Sequence, residues 1–348
     1  MLRAVIRALT LLLASLLASS CSTVKFYSQA MRGQTEIWGG QRPVKEVLAD
    51  PAEPEPVKKK LQLALELREY AKRELKLPAE SFGTYTDLKR PFVVWVVYAA
   101  ETFQTEPKQW WYPFVGKLAY RGFFSQEAAR QEAARLKNAN YDVFAAGVEA
   151  YSTLGFFKDP VLNTCLHRGD AEFAELIFHE LTHARVFVPG DTDFNEAFAT
   201  ANAEAAVRKW LRSKGSHAEL RDYEHKLRLE RTMIRMALET REQLRELYAS
   251  PKVSLEAKNE LLGRLQSRLA AMGVSDKATD VKTGKDLKLV WNNARLNTLS
   301  TYHSLVPGFE RLLRQHGGDH EAFYKAVEGL KAMTNAERKQ ALAAGLRS

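Results

Sequence analysis

Cysteine is nearly absent. The 348 residues hold two, Cys21 and Cys165. Cys21 stands at the end of what reads as an export signal, which leaves one thiol and no intrachain disulfide. A disulfide-stapled scaffold is thereby excluded, and Cys165 reads as a small buried hydrophobe. Runs long enough to cross a membrane are missing too: the leading apolar run, ALTLLLASLLA over residues 8–18, has 11 residues, where a span needs about 20. No internal repeat is visible, which excludes solenoids and propellers. A basic stripe interleaved with aromatics is also lacking. Lysines and arginines exceed acids by nine, yet they alternate with them, as in RLERTMIRMALETREQLREL, so the chain shows no nucleic-acid footprint. Solvated helix faces fit this pattern, with an attraction to anionic membrane surfaces. Arg3 and Arg7 account for two of the nine charges, leaving +7 from Cys21 onward. At 45% hydrophobic and 27% charged residues the chain is neither disordered nor membrane-embedded.

What is present begins with that leader. Two arginines, an apolar run and then ASSC at residues 18–21 have the order of a secretory signal. The ending resembles a bacterial lipobox, in which the cysteine, here Cys21, is lipidated and becomes the mature N-terminus; a plain secretory signal cleaved nearby is the alternative. Ser22 follows, and with no Asp there the resemblance implies the outer membrane, facing the periplasm.

Further along, GGQRP (39–43) reads as a turn, and DPAEPEP opens a helix that runs through KKKLQLALELREYAKREL. Runs rich in Val, Phe, Tyr and Trp at 90–100, 114–124 and 141–157 read as strands of a small mixed sheet, with the helix SQEAARQEAARLKNA between the second and third. WWYPF (110–114) reads as core or pocket wall. From Asp170, the expected N-cap, the chain reads as almost wholly helical. It includes a long hairpin over 218–272 turned at Ser250-Pro251, with Leu220, Tyr223, Leu227, Ile234 and Leu244 along one seam. The expected class is α+β. Its parts are a signal over 1–20, a lipidated linker over 21–60 and one domain over 61–348, in which an α+β part (61–160) precedes a helical part (161–348).

The segment FHELTHARVFVPGDTDFNEAFAT, residues 178–200, carries the chemistry. His179 and His183 are four apart on a helix and so can present two imidazoles to one ion. Glu180 lies about 100° around the helix, within reach of a metal-bound water without being a ligand. Catalytic zinc takes three protein ligands and keeps a fourth position for water, and His₂Glu is one known set. Glu196, in the first turn of the next helix, is the candidate third ligand, with Glu180 as general base. A bland reading competes: Asp193-Phe-Asn-Glu196 also has the form of a capping box, with the glutamate turned back onto the helix start.

HELTH followed by NEAFAT resembles the gluzincin metallopeptidases, in which HExxH pairs with a glutamate from an NE-type segment. The ASSC ending, AYSTLGFFKDPVLNT, the HELTH–FNEAFAT pair and WNNARLNTLSTYHSLVP together resemble a family of bacterial lipoproteins described as "putative aminopeptidases", over nearly the whole mature chain. The resemblance implies a zincin-like fold, a Zn²⁺ cofactor, a peptide substrate, a membrane partner through the lipid, and aminopeptidase activity. Three features depart from the gluzincin pattern. Only 12 residues separate His183 from Glu196, so the loop must turn tightly. Thr200 replaces the aspartate that supports a ligand histidine in thermolysin-like enzymes. Arg185 is polar just past the motif.

Weaker candidates complete the site. Tyr302 is a candidate donor to the developing oxyanion, with His303 its competitor and an ordinary helix position the alternative. GVEAYSTLG (147–155) reads as an edge strand able to pair with a peptide backbone. Glu149 within it is a candidate anchor for a substrate amine, and Asn292 and Asn293 for a substrate backbone; solvent-facing positions are the alternatives. His167, His217, His225, His316 and His320 show no ligand spacing and read as surface. A non-catalytic envelope lipoprotein, binding a partner and holding structural or vestigial zinc, is the second functional class.

Overall fold

The computed structural model describes residues 28–29, 31–112, 116–150, 158–274, 277–279, 286–288, 290–303 and 305–343. The leader, Cys21 and the second half of the expected edge strand lie outside them.

Elements follow the order β1 (Arg42–Pro43), α1 (Val44–Ala49), α2 (Glu55–Glu74), β2 (Thr84–Thr86), β3 (Val94–Glu101), β4 (Trp110–Tyr112), β5 (Gly116–Leu118), β6 (Tyr120–Phe123), α3 (Gln126–Asn138), β7 (Tyr141–Val148) and β8 (Val161–Leu162). Then come α4 (Asp170–His183), α5 (Thr192–Ser213), α6 (His217–Tyr248), α7 (Leu255–Ala271), β9 (Lys277–Thr279), β10 (Asp286–Lys288), α8 (Asn293–His303), α9 (Val306–Gln315), α10 (His320–Leu330) and α11 (Asn335–Ala343). The architecture is α+β, a strand-rich N-terminal part packed on a helical C-terminal part.

Among the described residues a small mixed sheet is present, accompanied by a second three-stranded sheet and two hairpins. One sheet, ordered β6-β3-β7, is antiparallel throughout; the other, β1-β2-β8, pairs β2 with β8 in parallel. The run expected as a strand at 114–124 divides, because β5 folds back on β4 while β6 pairs with β3. That hairpin leaves Trp111 at 69% exposure, against the expectation of a pocket wall, while Tyr112 is buried. Residues 31–39, ahead of the expected turn, are helical. β3 is buried on both faces: Val94 and Val96 pack with Leu88 and Leu162, Val97 and Ala99 with Phe123, Leu136 and Val143. A continuous apolar run is what a doubly covered strand requires. β7 is the edge of its sheet, and Gly147 sits where a Cβ would lie 2.2 Å from the Phe92 ring.

α2 begins with Glu55 and Pro56 in its first turn and ends with Lys72 and Arg73, in the sense the helix dipole favours. Its buried Leu61, Ala64, Leu67 and Ala71 meet α4 in the main core. α4 buries Phe173, Ala174, Ile177, Phe178 and Leu181 on one face, each large apolar side chain contributing about 1.5–3 kcal/mol. Its N-cap is Gly169, with Asp170 as the first helical residue, one position off the expected cap. The polar face of α4 is thus left for His179, Glu180 and His183.

α5 is buried nearly all round, including Phe194, Phe198, Ala201, Ala203, Val207 and Trp210. A helix of this kind is a central element, and its alanines let α4 and α9 approach closely. The hairpin of α6 and α7 turns where expected, and Tyr223, Leu227, Ile234 and Leu244 are buried along it. Its far end packs on Trp291 and Leu296 around α8. His320, expected at the surface, is 4% exposed, because α10 packs against the main core rather than lying outside it.

Candidate metal centre

α4 and α5 face each other across the eight residues 184–191, and three side chains converge between them. His179 Nε2 lies 3.3 Å from Glu196 Oε2, His183 Nε2 lies 3.8 Å from the same oxygen, and the two Nε2 atoms are 3.2 Å apart. The ligand-type atoms of all three residues fall within 4.8 Å of one another, and among the described residues no fourth His, Cys, Asp or Glu joins them. His183 is 4% exposed, His179 and Glu196 about one-fifth exposed.

The capping-box reading of Glu196 fails, for a structural reason. The helix starts one residue earlier than Asp193, and Asp191 is its cap: Phe194 N–H donates to Asp191 Oδ1 at 3.3 Å. Asp193 instead pairs with Lys339. Glu196 is therefore relieved of capping and turns toward the imidazoles.

How so short a loop closes is answered by Asn195. Its side-chain amide takes both polar groups of Val188, accepting from Val188 N–H and donating to Val188 C=O, each at 2.8 Å. Gly190, at φ +79°, supplies the left-handed turn that a side chain would strain. Behind the loop, Arg338 of α11 donates to Asp191 Oδ2 from Nε (2.8 Å) and Nη2 (2.7 Å), both side chains being under a tenth exposed. Arg185 is likewise explained, pairing with Glu328 and Glu321 and stacking on the Tyr324 ring. Thr200 is buried. The amide that reaches back to α4 belongs instead to Asn202, which donates to Thr182 Oγ1 at 2.7 Å.

The electrostatics separate the two histidines. Burial, with His179 close by, lowers the His183 pKa to about 4, so this imidazole is neutral with a lone pair to offer. Burial would also lower His179, but its hydrogen bond to Glu196 and the charges of Glu180 and Glu175 raise it. Burial alone would raise Glu196, yet the same hydrogen bond and both imidazoles hold it below the usual carboxylate range. The cluster thus offers one neutral nitrogen, one anionic oxygen and a second nitrogen whose hold on a proton is strengthened. Such a donor set could hold a divalent cation, whose binding would displace that proton. The His183 Nδ1 atom is buried with no hydrogen-bond partner among the described residues.

The remaining expected residues distribute unevenly. Glu180 and Glu149 line the same small cleft beside Leu176 and Cys165. Glu149, just past the end of β7, accepts from Arg168 Nε at 2.7 Å and faces His167 Nε2 at 3.4 Å, so His167 has a partner near the cleft. Asn292 caps α8 by accepting from Arg295 N–H and donates to Val143 O. Asn293 is 1% exposed; its Nδ2 donates to Glu101 O and Thr102 O while its Oδ1 accepts from Tyr248. Both amides tie α8 to the sheet, and both hydrogens of the Asn293 amide are used in doing so. Tyr302 and His303 lie on the last turn of α8, and their side chains fall outside the described residues. The sequence shows Asn195 only as the neighbour of Glu196 in the NE-type segment, and nothing in it marks Asn202, Asp191 or Arg338.

A family model described as "Putative aminopeptidase" matches residues 25–342. No curated protein and no solved structure matches significantly.

Proposed function

The chain belongs to this aminopeptidase-like family, and from that premise we propose that it is a zinc-dependent metallopeptidase of the cell envelope acting at the free amino ends of peptides. His179, His183 and Glu196 would hold the ion. The observation that carries the reading is their spacing. Tetrahedral ligands at zinc bond lengths of about 2.0–2.1 Å sit about 3.3–3.4 Å apart, and the three separations here are 3.2, 3.3 and 3.8 Å. Three ligands also match a catalytic site, whereas structural zinc is closed by four.

Zinc bound there supplies Lewis acidity, which polarises a carbonyl and makes a water acidic near neutral pH. Everything else falls to the chain. Glu180, next to His179 but turned into the cleft, takes the proton from the attacking water and passes it to the leaving amine. Glu149 faces the same cleft and attracts a substrate ammonium, its charge shared with Arg168. β7, as an edge strand leading into that cleft, offers backbone groups to an extended peptide, and Tyr302 remains the proposed oxyanion donor. The arrangement of α4, α5 and β7 is zincin-like on this reading. The lipid on Cys21 would hold the enzyme at the outer membrane, facing the periplasm.

Zinc content and cleavage of a peptide library, with free and blocked amino ends, test the proposal. Glu180→Gln should keep zinc near one per chain and lose at least about 10²-fold in turnover, the lower range for a general base; full activity in that variant ends the assigned role. Preferential cleavage of blocked peptides refutes the exopeptidase part. Fatty-acid labelling that persists in Cys21→Ala refutes the anchor.

A further inference from the structure

Four buried side chains outside the ligand set form one hydrogen-bonded group between the two ligand-bearing helices. Asn202 on α5 is fully buried, as are Thr182 on α4 and Tyr324 on α10, and His320 on α10 is 4% exposed. Asn202 Nδ2 donates to Thr182 Oγ1 at 2.7 Å and lies 3.1 Å from Tyr324 Oη; its Oδ1 lies 2.9 Å from His320 Nδ1 and 3.3 Å from Tyr324 Oη. Thr182 immediately precedes the ligand His183 and stands three residues after His179, whereas Asn202 is six residues beyond Glu196.

The proton positions follow by elimination. Thr182 Oγ1 donates its hydrogen to Phe178 O at 2.7 Å, so toward Asn202 it can only accept. The amide must therefore turn its NH₂ to Thr182 and its oxygen to His320, and His320 must carry its hydrogen on Nδ1. His320 and Tyr324 thus orient the amide, and the amide sets the distance between α4 and α5.

Apolar packing alone leaves that distance soft. Dispersion contacts are non-directional, so Phe178 and Phe198 tolerate a small slide or roll of one helix past the other. A buried hydrogen bond does not, because breaking it strands polar atoms away from water. A metal site must be held to within about 0.5 Å, and among the described residues this bond is the one side-chain hydrogen bond between α4 and α5 outside the ligand cluster. Asn202 acts on the ligands through Thr182 and touches none of them.

We propose that Asn202 is a positioning residue of the metal centre, fixing His179 and His183 against Glu196 through its bond to Thr182. The proposal rests on the metallopeptidase reading above.

The test compares Asn202→Leu, which keeps the volume and removes the bonds, with Phe323→Leu, a packing change in the same core with a similar expected loss of stability. Zinc affinity is measured by competition with a chromogenic chelator, and the visible spectrum of each cobalt-substituted protein is recorded. Asn202→Leu should bind zinc about 10–100-fold more weakly and show a changed cobalt spectrum, while Phe323→Leu stays within about twofold of wild type with an unchanged spectrum. Zinc affinity in Asn202→Leu within about twofold of wild type overturns the positioning role, as does an equal fall in both variants. Should Asn202→Leu not fold, Thr182→Val removes the same cross-helix bond and carries the same expectations. Wild-type protein that binds no zinc overturns the metallopeptidase reading itself; intact wild-type binding with an unaffected Asn202→Leu overturns only the role of Asn202.

Discussion

Replacing Arg338 with methionine keeps an unbranched apolar side chain but removes a buried cation whose guanidinium carbon lies 5.5 Å from the centre of the Phe194 ring. The partner left behind is Asp191, 4% exposed, which loses two charge-assisted hydrogen bonds of 2.7 and 2.8 Å. Removing one member of a buried pair strands the other charge, at about 3–5 kcal/mol. Asp191 retains its bond from Phe194 N–H at the start of α5, which keeps the loss at the lower end of that range. The expected loss is therefore about 3 kcal/mol by urea denaturation at neutral pH. Two further outcomes distinguish a desolvated pair from a surface one. The Asp191→Asn/Arg338→Met double variant should be less destabilised than the sum of its singles, with a coupling energy of about 2 kcal/mol or more. Moreover, the Arg338→Met loss should change little between low and moderate salt, because a pair shielded from solvent is screened weakly. A loss under about 1 kcal/mol, or one that salt abolishes, refutes the argument that α11 holds the start of the Glu196 helix through a buried charge.

His320 predicts a pH dependence. Burial, with Lys209 nearby, lowers its pKa from 6.5 to about 4, so the unfolded chain binds its proton more readily than the folded one. The stability it contributes is full above pH 6.5 and is lost as pH falls toward 4. That loss is up to about 3 kcal/mol at 1.36 kcal/mol per pKa unit. His320→Gln should flatten the stability–pH curve in that window, and an unchanged slope there refutes the assignment. Asn195→Ala strips the buried Val188 N–H and C=O of their partners, at about 1–3 kcal/mol for each; faster hydrogen exchange at Val188 is the specific readout, and unaltered exchange counts against the clamp. Glu149→Gln should raise KM about tenfold for peptides with a free amino end and leave blocked peptides unaffected, the cost of one weakened ammonium contact beside Arg168; equal changes for both refute the anchor.

The parts of this molecule that could be read in its sequence are those whose logic is local. HELTH places two imidazoles on one helix face by periodicity alone, and the alternation of acids and bases in α6 and α7 marks a hairpin whose turn falls at Ser250-Pro251 as expected. Periodicity failed where tertiary contact overrides it. The division of residues 114–124 depends on which strand each half meets, whereas α5, buried nearly all round, is the helix its sequence suggests. The cap read at Asp193 falls instead on Asp191, which the buried Arg338, 147 residues away, holds in place. His320 lacked ligand spacing and so was read as surface, although its partner is an amide 118 residues distant. Asn292 and Asn293 have the polarity of substrate contacts, but their amides donate to backbone oxygens of distant segments that no pattern reveals.

This division has a consequence for how the centre is built. The three candidate ligands and the proposed base lie within eighteen consecutive positions, 179–196, so the means to contact an ion is almost a property of one helix–loop–helix segment. That segment has a weak point, because its loop is short and its helices meet largely through alanine and phenylalanine, which fill space without fixing direction. Asn195 clamps the loop from within, and further directional contacts come from elsewhere: Arg338 on Asp191 just ahead of Glu196, and His320 with Tyr324 on Asn202 beyond it, all from the last helices of the chain. Each falls on α5, the helix that brings the single carboxylate; α4 takes its outside side-chain bonds in its N-terminal half, from Lys60, Lys226 and Tyr223, away from the histidines that its own backbone holds four apart. Physical economy explains the asymmetry: two ligands on one helix need no outside help to stay in register, whereas a third on a separate helix must be held in translation and in roll, and one brace at either end of the segment controls both.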